Sequence, residues 1–380
     1  MNKKSIISIL LIAVIAIAGY YIWKSNTFSE RKPINIGVIL PLSGDVAPYG
    51  KNLQNGMNLA LEQYNAQNGS DKKIKFIFED DKADPKLAVT TFEKLTSIDK
   101  CKIILGCFSS SEVLSVAPIA EKNKIILISP TASAPSITNA GDYIFRTTPS
   151  DNFDGAAMAN FAFNKLNLKK VAVLFVNNEY GLGISSVFEE KFKTLGGNIS
   201  ILKSFEASTK DFKTILKAIK DTKPEGLYII SVSDIGTILK QKTEIGLACK
   251  VMTVGLAENP EVVKIAGSAS DSVFYSYPSY QINSGDTIVQ KFVSAYKVKF
   301  GTEPDVLAAY GYDLANITLQ SLNKGQELNV EEVKENLYKL KDFPGVTGST
   351  SFDKNGDVEK SIGIKMINHG KFEWYINNLK

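Results

Sequence analysis

Short apolar runs alternating with amphipathic stretches decide most of what this chain can become. Such runs lie at 34–40, 74–78, 102–105 and 125–128, and the rhythm returns at 171–176, 199–205, 226–231 and 251–254. They are rich in Ile and Val, and each is followed by a helical stretch or by a turn of Gly, Pro, Ser and Asp. That pattern predicts buried parallel strands in βα units. The intervening helices have one apolar face: Leu53, Met57, Ala60, Leu61 and Tyr64 follow helical spacing, as do Phe212, Ile215, Leu216 and Ile219. Asp84-Pro85 supplies an N-cap and then a proline at the first helical position, opening a helix through Leu95.

Two blocks of βα units follow, one before about Pro149 and one after it. The fold class is α/β, with a doubly wound parallel sheet in each block and helices on both faces. At 380 residues and 44% hydrophobic content the chain can build more than one core. Roughly 100–200 residues per domain makes two domains the default. The tail differs: 287–300, 306–322 and 330–340 read as helices, then 348–352, 361–367 and 372–375 as short strands. Such a tail can complete one or both sheets without forming a third domain.

Composition removes several function classes. The net charge of +4 is scattered, with no basic block or aromatic-interleaved basic stripe, so no nucleic-acid partner is indicated. Cys101 and Cys107 flank a strand that would hold them on the order of 20 Å apart, too far to bridge. With Cys249 they read as small buried hydrophobes. The single histidine, His369, lies in a near-terminal turn, which excludes a histidine cluster. No GxSxG, HExxH or P-loop is present, and Glu79-Asp80-Asp81 reads as a solvated turn at a strand end. The expectation is a binder, with no catalytic residue, metal or cofactor.

At the N-terminus, residues 6–23 run without a charge behind Lys3 and Lys4. One reading is a signal peptide ending near Ala16-Ile17-Ala18. The other is a retained anchor of about 18 residues, with Tyr20, Tyr21 and Trp23 as an outer aromatic belt. Tyr20 stands where a lipidated cysteine would have to be. Either reading puts everything after Ser25 outside the cytoplasm, in the periplasm or tethered at the outer face of the membrane.

In doubly wound sheets, ligands sit beyond the carboxyl ends of the strands. Three first-block loops stand out: Pro41-Leu42-Ser43-Gly44 with Tyr49-Gly50, then Phe108-Ser109-Ser110-Ser111-Glu112, then Ser129-Pro130-Thr131-Ala132-Ser133-Ala134-Pro135. Ser109-x-x-Glu112 fits a capping box, and the helix start it marks favours a carboxylate or other anion. Ser109 capping its helix and nothing more is the plainer reading.

These motifs resemble the leucine/isoleucine/valine-binding protein family, the type I periplasmic binding proteins that serve branched-chain amino acid ABC transporters. The resemblance rests on IGVILPLSGDVAPYGKNLQNGMNLALEQYNAQNG, EDDKADPKLAV, GCFSSS, ISPTASAP and YIFRTTPSD, then VNNEYGLG, TILKQKTEIGL and GYDLA. It implies two lobes joined by three crossovers, 33–148 with 279–358 and 149–278 with 359–380, closing on a small-molecule ligand. It also implies an ABC transporter membrane permease as partner, or, as an alternative, a ligand-sensing domain acting through a separate signalling partner.

Residue by residue, the resemblance implies that Ser109 binds an α-carboxylate through hydroxyl and backbone N–H. Ser133 would touch carboxylate and ammonium, and the Thr131 carbonyl the ammonium. Phe108 and Ala132 fall in the same loops, Ser231 ends the second-block run at 226–231, and Tyr49 and Tyr180 would line the side-chain pocket. One departure matters: Gly255 stands where amino-acid binders place a second-lobe glutamate for the ammonium. Glu258 could replace it or introduce the next helix, and Asp234 is a more distant candidate. Otherwise the ligand lacks an α-ammonium.

Overall fold

The Ile- and Val-rich runs pair as parallel strands in a computed structural model, which describes residues 16–17, 33–68, 73–278, 280–323 and 327–379. They are buried at the centre of each sheet, whereas the edge runs Ile74–Asp80 and Asn198–Phe205 are mostly half-buried or exposed. β1 (Ile34–Leu40), β2 (Ile74–Asp80), β3 (Ile103–Gly106), β4 (Ile126–Ser129) and β5 (Ile144–Arg146) form a parallel sheet ordered β2-β1-β3-β4-β5. β6 (Lys170–Val176), β7 (Asn198–Phe205), β8 (Gly226–Ile230), β9 (Lys250–Thr253) and β10 (Val273–Pro278) repeat that order in a second sheet. A small hairpin follows, β11 (Phe343–Gly345) with β12 (Gly348–Thr350). The tail strands β13 (Ile362–Asn368) and β14 (Lys371–Leu379) then extend the second sheet antiparallel beyond β10.

The helices are α1 (Ala47–Asn68), α2 (Pro85–Ser97), α3 (Ser110–Lys122), α4 (Asp151–Asn160), α5 (Glu179–Thr194), α6 (Lys213–Asp221), α7 (Ile235–Glu244) and α8 (Pro260–Ala266). The tail adds α9 (Thr287–Phe300), α10 (Val306–Ser321) and α11 (Val330–Lys339). The first sheet is covered on both faces. Leu53, Met57, Leu314 and Leu337 belong to the core on one face, and Phe92, Leu95, Val113 and Val116 to that on the other. The second sheet has its own core, with Phe188, Phe192, Leu216 and Ile364 among its members. The tail helices thus complete the first lobe and the tail strands the second. The chain passes between lobes three times: after β5, after β10 and before β13.

Two glycines set how closely the tail packs. A Cβ at Gly56 of α1 would lie 1.9 Å from the Ala308 carbonyl oxygen of α10. One at Gly311 of α10 would lie 2.2 Å from the Leu53 carbonyl oxygen. The helices therefore cross backbone to backbone, which only glycine permits at those points.

Several expectations need correction. The strands at Ile144–Arg146 and Val273–Pro278 carried no long aliphatic run and were not anticipated. Glu79-Asp80-Asp81 is not a solvated turn: Asp81 is 0% exposed, and Asp80 accepts hydrogen bonds from Leu42 N, Ser43 N and Ser43 Oγ. Asp80 thus holds the loop after β1, while the buried Asp81 accepts from Ala83 N in its own turn at 3.2 Å. Cys101 and Cys107 are buried, Cys249 is only half-buried, and all three are unpaired. The N-terminal segment, read as signal or anchor, lies outside the described residues apart from Ala16 and Ile17. Among the described residues no helix is long and apolar enough to cross a membrane.

The first crossover leaves the sheet from a fully buried arginine. Arg146 donates Nε to Asp357 Oδ1 and Nη2 to Asp357 Oδ2, both at 2.7 Å. Its Nη1 reaches the Ala134 carbonyl at 2.9 Å and its Nη2 the Thr138 hydroxyl at 2.8 Å. One guanidinium thus ties the loop after β4 to the segment before β13. Removing one partner of a buried pair costs about 3–5 kcal/mol. Asp357→Ala is expected to lower unfolding stability by roughly that amount, read from urea denaturation.

Asp81, Cys107 and Glu112 lie together beneath the start of α3, their ligand-type atoms within 4.8 Å of one another. Burial is the first cause raising both carboxyls. Asp80 and Asp84 add to it at Asp81, and the Asp81 charge adds to it at Glu112. The folded protein therefore holds protons there more tightly than the unfolded chain does. The associated stability is fully present below the ordinary carboxylate value of about 4 and is lost as pH rises toward the raised folded values. Glu112→Gln keeps an acceptor for the capping box and removes the charge. Thermal melts are expected to show a smaller fall in Tm between about pH 5 and about pH 8 in the variant than in the parent. An unchanged fall would contradict this.

Candidate ligand-binding site

The carboxyl ends of the two parallel sheets face each other across a cavity of about 170 Å³. That is below the roughly 300–1,000 Å³ of drug-sized pockets, so an occupant has to be small. In each sheet the strand order reverses beside the first strand of its block, β1 and β6, where the loops diverge.

The first lobe contributes Phe108, Ser109, Ser110, Thr131 and Ser133 to the wall. Ser109 caps α3: its backbone N–H donates to Glu112 Oε2 at 2.8 Å, and its Oγ accepts from Glu112 N at 3.4 Å. The capping box thus occupies the Ser109 N–H that the resemblance assigned to a carboxylate. The hydroxyl and the first-turn N–H groups of Ser110 and Ser111, which have no i−4 carbonyl, are what the helix start offers. The two serine-rich loops are laced together. Ser129 Oγ donates to the Cys107 carbonyl at 2.8 Å, Thr131 Oγ1 donates to the Phe108 carbonyl at 2.6 Å, and Ser110 Oγ accepts from Ser133 N at 3.2 Å.

The part of the wall that α4 contributes is acidic. Asp151 and Asp154 sit three residues apart in the first turn of α4, and both line the cavity with Tyr180, Ser276 and Tyr310. Asp151 accepts from the Ser133 hydroxyl at 3.0 Å, and burial followed by the Asp154 charge raises its carboxyl well above the ordinary range. Burial pushes the Asp154 carboxyl up to about 6, with the Ser276 hydroxyl acting in the opposite direction. Asp154 Oδ1 is buried without a hydrogen-bond partner among the described residues. Lys and Arg are absent from the described lining.

The sequence-derived residues divide. Phe108, Ser109, Thr131, Ser133 and Tyr180 line the cavity. Tyr49 stands behind it, stacked on Phe108 at 5.9 Å, and spans the lobes: its hydroxyl donates to the Val232 carbonyl at 3.4 Å and accepts from Asn259 Nδ2 at 3.3 Å. Ala132 is buried beneath its loop, donating its N–H to Ser129 Oγ at 3.0 Å. Ser231 accepts from Asp234 N at 3.1 Å, and Asp234 faces Lys210 at 3.6 Å, both outside the cavity lining. Glu258 is engaged by Lys365 Nζ and by the Tyr275 hydroxyl at 2.8 Å. Gly255 lines the cavity and brings no charge to it.

Reading the sequence missed Asp151, Asp154, Asn178, Ser276, Tyr277 and Tyr310. The one available signal was Ser150-Asp151-x-x-Asp154 following Pro149, which places two acids on one helix face. Acids in a first turn ordinarily complement the macrodipole at the surface. Their burial becomes visible only when the second lobe is placed against the first.

The comparisons agree with this fold. The leucine-, isoleucine-, valine-, threonine- and alanine-binding protein of Pseudomonas aeruginosa is 28% identical over 368 residues, covering 96% of this chain and 95% of that one. The branched-chain amino acid transporter substrate-binding protein LivJ of Streptococcus pneumoniae, solved with isoleucine, is similar at a TM-score of 0.82 and 29% identity. The match covers 90% of this chain and 98% of LivJ. A solute-binding protein of an ABC transporter from Rhodopseudomonas palustris BisB5, solved with 3,4-dihydroxybenzoic acid, is similar at 0.78 and 26%, over 90% of this chain and 95% of that one. A family model described as periplasmic binding protein matches residues 33–370. With its two doubly wound lobes, three crossovers and likeness to Leu/Ile/Val binders, the chain belongs to the periplasmic binding protein family.

Proposed function

We propose that this chain is an extracytoplasmic solute-binding protein, not an enzyme, that captures a small amino acid and delivers it to an ABC transporter permease. The observation that carries the reading is the polarity of the cavity. A capped helix start with serine hydroxyls forms one wall, and two buried carboxyls with no cation among the described lining residues form the other. A carboxylate is favoured at the first wall and an ammonium at the second. A benzoate-like acid brings no positive charge to the second wall, so the acidic side favours the amino acid over a ligand lacking an amine.

Capture follows from lobe closure. Residues 33–148 with 279–358 form one lobe and 149–278 with 359–380 the other, moving about crossovers near Thr148, Pro278 and Glu359. Ser111 Oγ accepts from Glu179 N at 3.4 Å, and Tyr49 meets Val232 and Asn259 across the cleft. A ligand that touches both walls adds to these bridges and biases the closed form by its differential affinity. The permease would then recognise that form. The family's extracytoplasmic setting supports a place in the periplasm or at the outer face of the cytoplasmic membrane.

Calorimetric titration of residues 26–380 with amino acids, keto acids and aromatic acids tests the reading. Leucine, isoleucine, valine or another small amino acid is expected to bind and be recovered unchanged. At about 100 times its Kd it should stabilise the fold by roughly 2.7 kcal/mol. Consumption of the ligand, or binding of amine-free acids alone, would contradict the proposal. Ser109→Ala is expected to weaken the same amino acid by roughly 1.5–3 kcal/mol, because a hydrogen bond to a charged group is lost.

A further inference from the structure

We infer that the ligand's ammonium is held by Asp154 of α4, which takes over the charge that the loop after β9 lacks. This rests on the amino-acid reading above and names the residue that enforces it. Gly255 stands where the resemblance implies a glutamate, and in the structure it lines the cavity without a charged group. Glu258, three residues on, is neutralised by the buried Lys365 and hydrogen-bonded by Tyr275. Moving it to the cavity would leave that lysine buried without its counter-ion.

Asp154 has no such counter-ion, only the Ser276 hydroxyl acting on its carboxyl. Its Oδ1 is buried and unpartnered among the described residues, and the side chain lines the cavity. Asp151, one helical turn earlier, already accepts the Ser133 hydroxyl and feels the Arg146 guanidinium. Of the two acids, Asp154 is therefore the one with an unpartnered oxygen and no cation of its own. An unpaired buried carboxyl is costly in the empty protein, and an incoming ammonium removes that cost. The acid still belongs to the second lobe, since Met158 and Ala159 of α4 pack in that lobe's core. Lobe closure would thus bring it to a ligand already seated at Ser109.

The test pairs each probe with its deaminated analogue: L-leucine with 4-methylpentanoate, L-isoleucine with 3-methylpentanoate, L-valine with 3-methylbutanoate. Asp154→Asn keeps the shape and removes the charge. It is expected to weaken the tightest-binding amino acid by about tenfold to a hundredfold, leave the analogue unchanged or tighter, and raise the Tm of the ligand-free protein. Glu258→Gln is expected to leave the preference for the amine intact. Unchanged amino-acid affinity in Asp154→Asn, loss of amine preference in Glu258→Gln, or a lower ligand-free Tm in both Asp154→Asn and the smaller Asp154→Ser would overturn the inference. If the unaltered protein binds an analogue as tightly as its amino acid, the amino-acid reading itself falls, and this assignment with it.

Discussion

Two carboxyl groups held out of water, with no protein cation among the described lining residues to neutralise them, set the terms for this molecule. Asp151 and Asp154 cannot both ionise in so small a cavity without help, and burial accordingly holds both above the ordinary carboxylate range. The fold tolerates them because they open α4, where a helix macrodipole favours negative charge, and because Asp151 has the Ser133 hydroxyl. On the proposed reading, the ammonium of the ligand supplies the positive charge that completes the arrangement. The first-lobe wall, built on the start of α3, favours a negative one.

That polarity depends on the architecture. Two sheets with the same strand order place their carboxyl ends face to face, so every loop after a parallel strand is a candidate wall. The tail is divided between them, its helices covering the first sheet and its strands extending the second. Three crossings of the chain between lobes follow, and the proposed capture by closure would turn about them. Arg146 anchors the first crossing by tying it to Asp357, close to the third. Between Gly56 and Gly311 the helices of the first lobe meet too closely for any side chain, fixing the tail against α1.

Much of this was legible in the residues. Ile- and Val-rich runs of strand length could hardly be anything but buried parallel strands, and Ser109-x-x-Glu112 announced a helix start. The strand at 273–278 escaped because Phe, Tyr, Ser and Pro replace the aliphatic run, and that at 144–146 because three residues carry too little pattern. Asp81 read as solvated because carboxylates usually are; its inward turn depends on packing against α3, which no local signal carries. At the site the hydroxyl loops were visible and the acids were not. A serine run has few uses, whereas two acids in a first turn look like ordinary capping until another lobe covers them. Glu258 was drawn the other way, since the sequence offers no sign of Lys365 reaching it.

A crystal structure of the protein with its tightest-binding amino acid would test the central claim most directly. The account requires the α-carboxylate within hydrogen-bond reach of the Ser109 hydroxyl and the first turn of α3, and the ammonium within about 3 Å of Asp154 Oδ1. A ligand seated the other way round, an ammonium held by Glu258 with Lys365 displaced, or a ligand outside the cleft would contradict it.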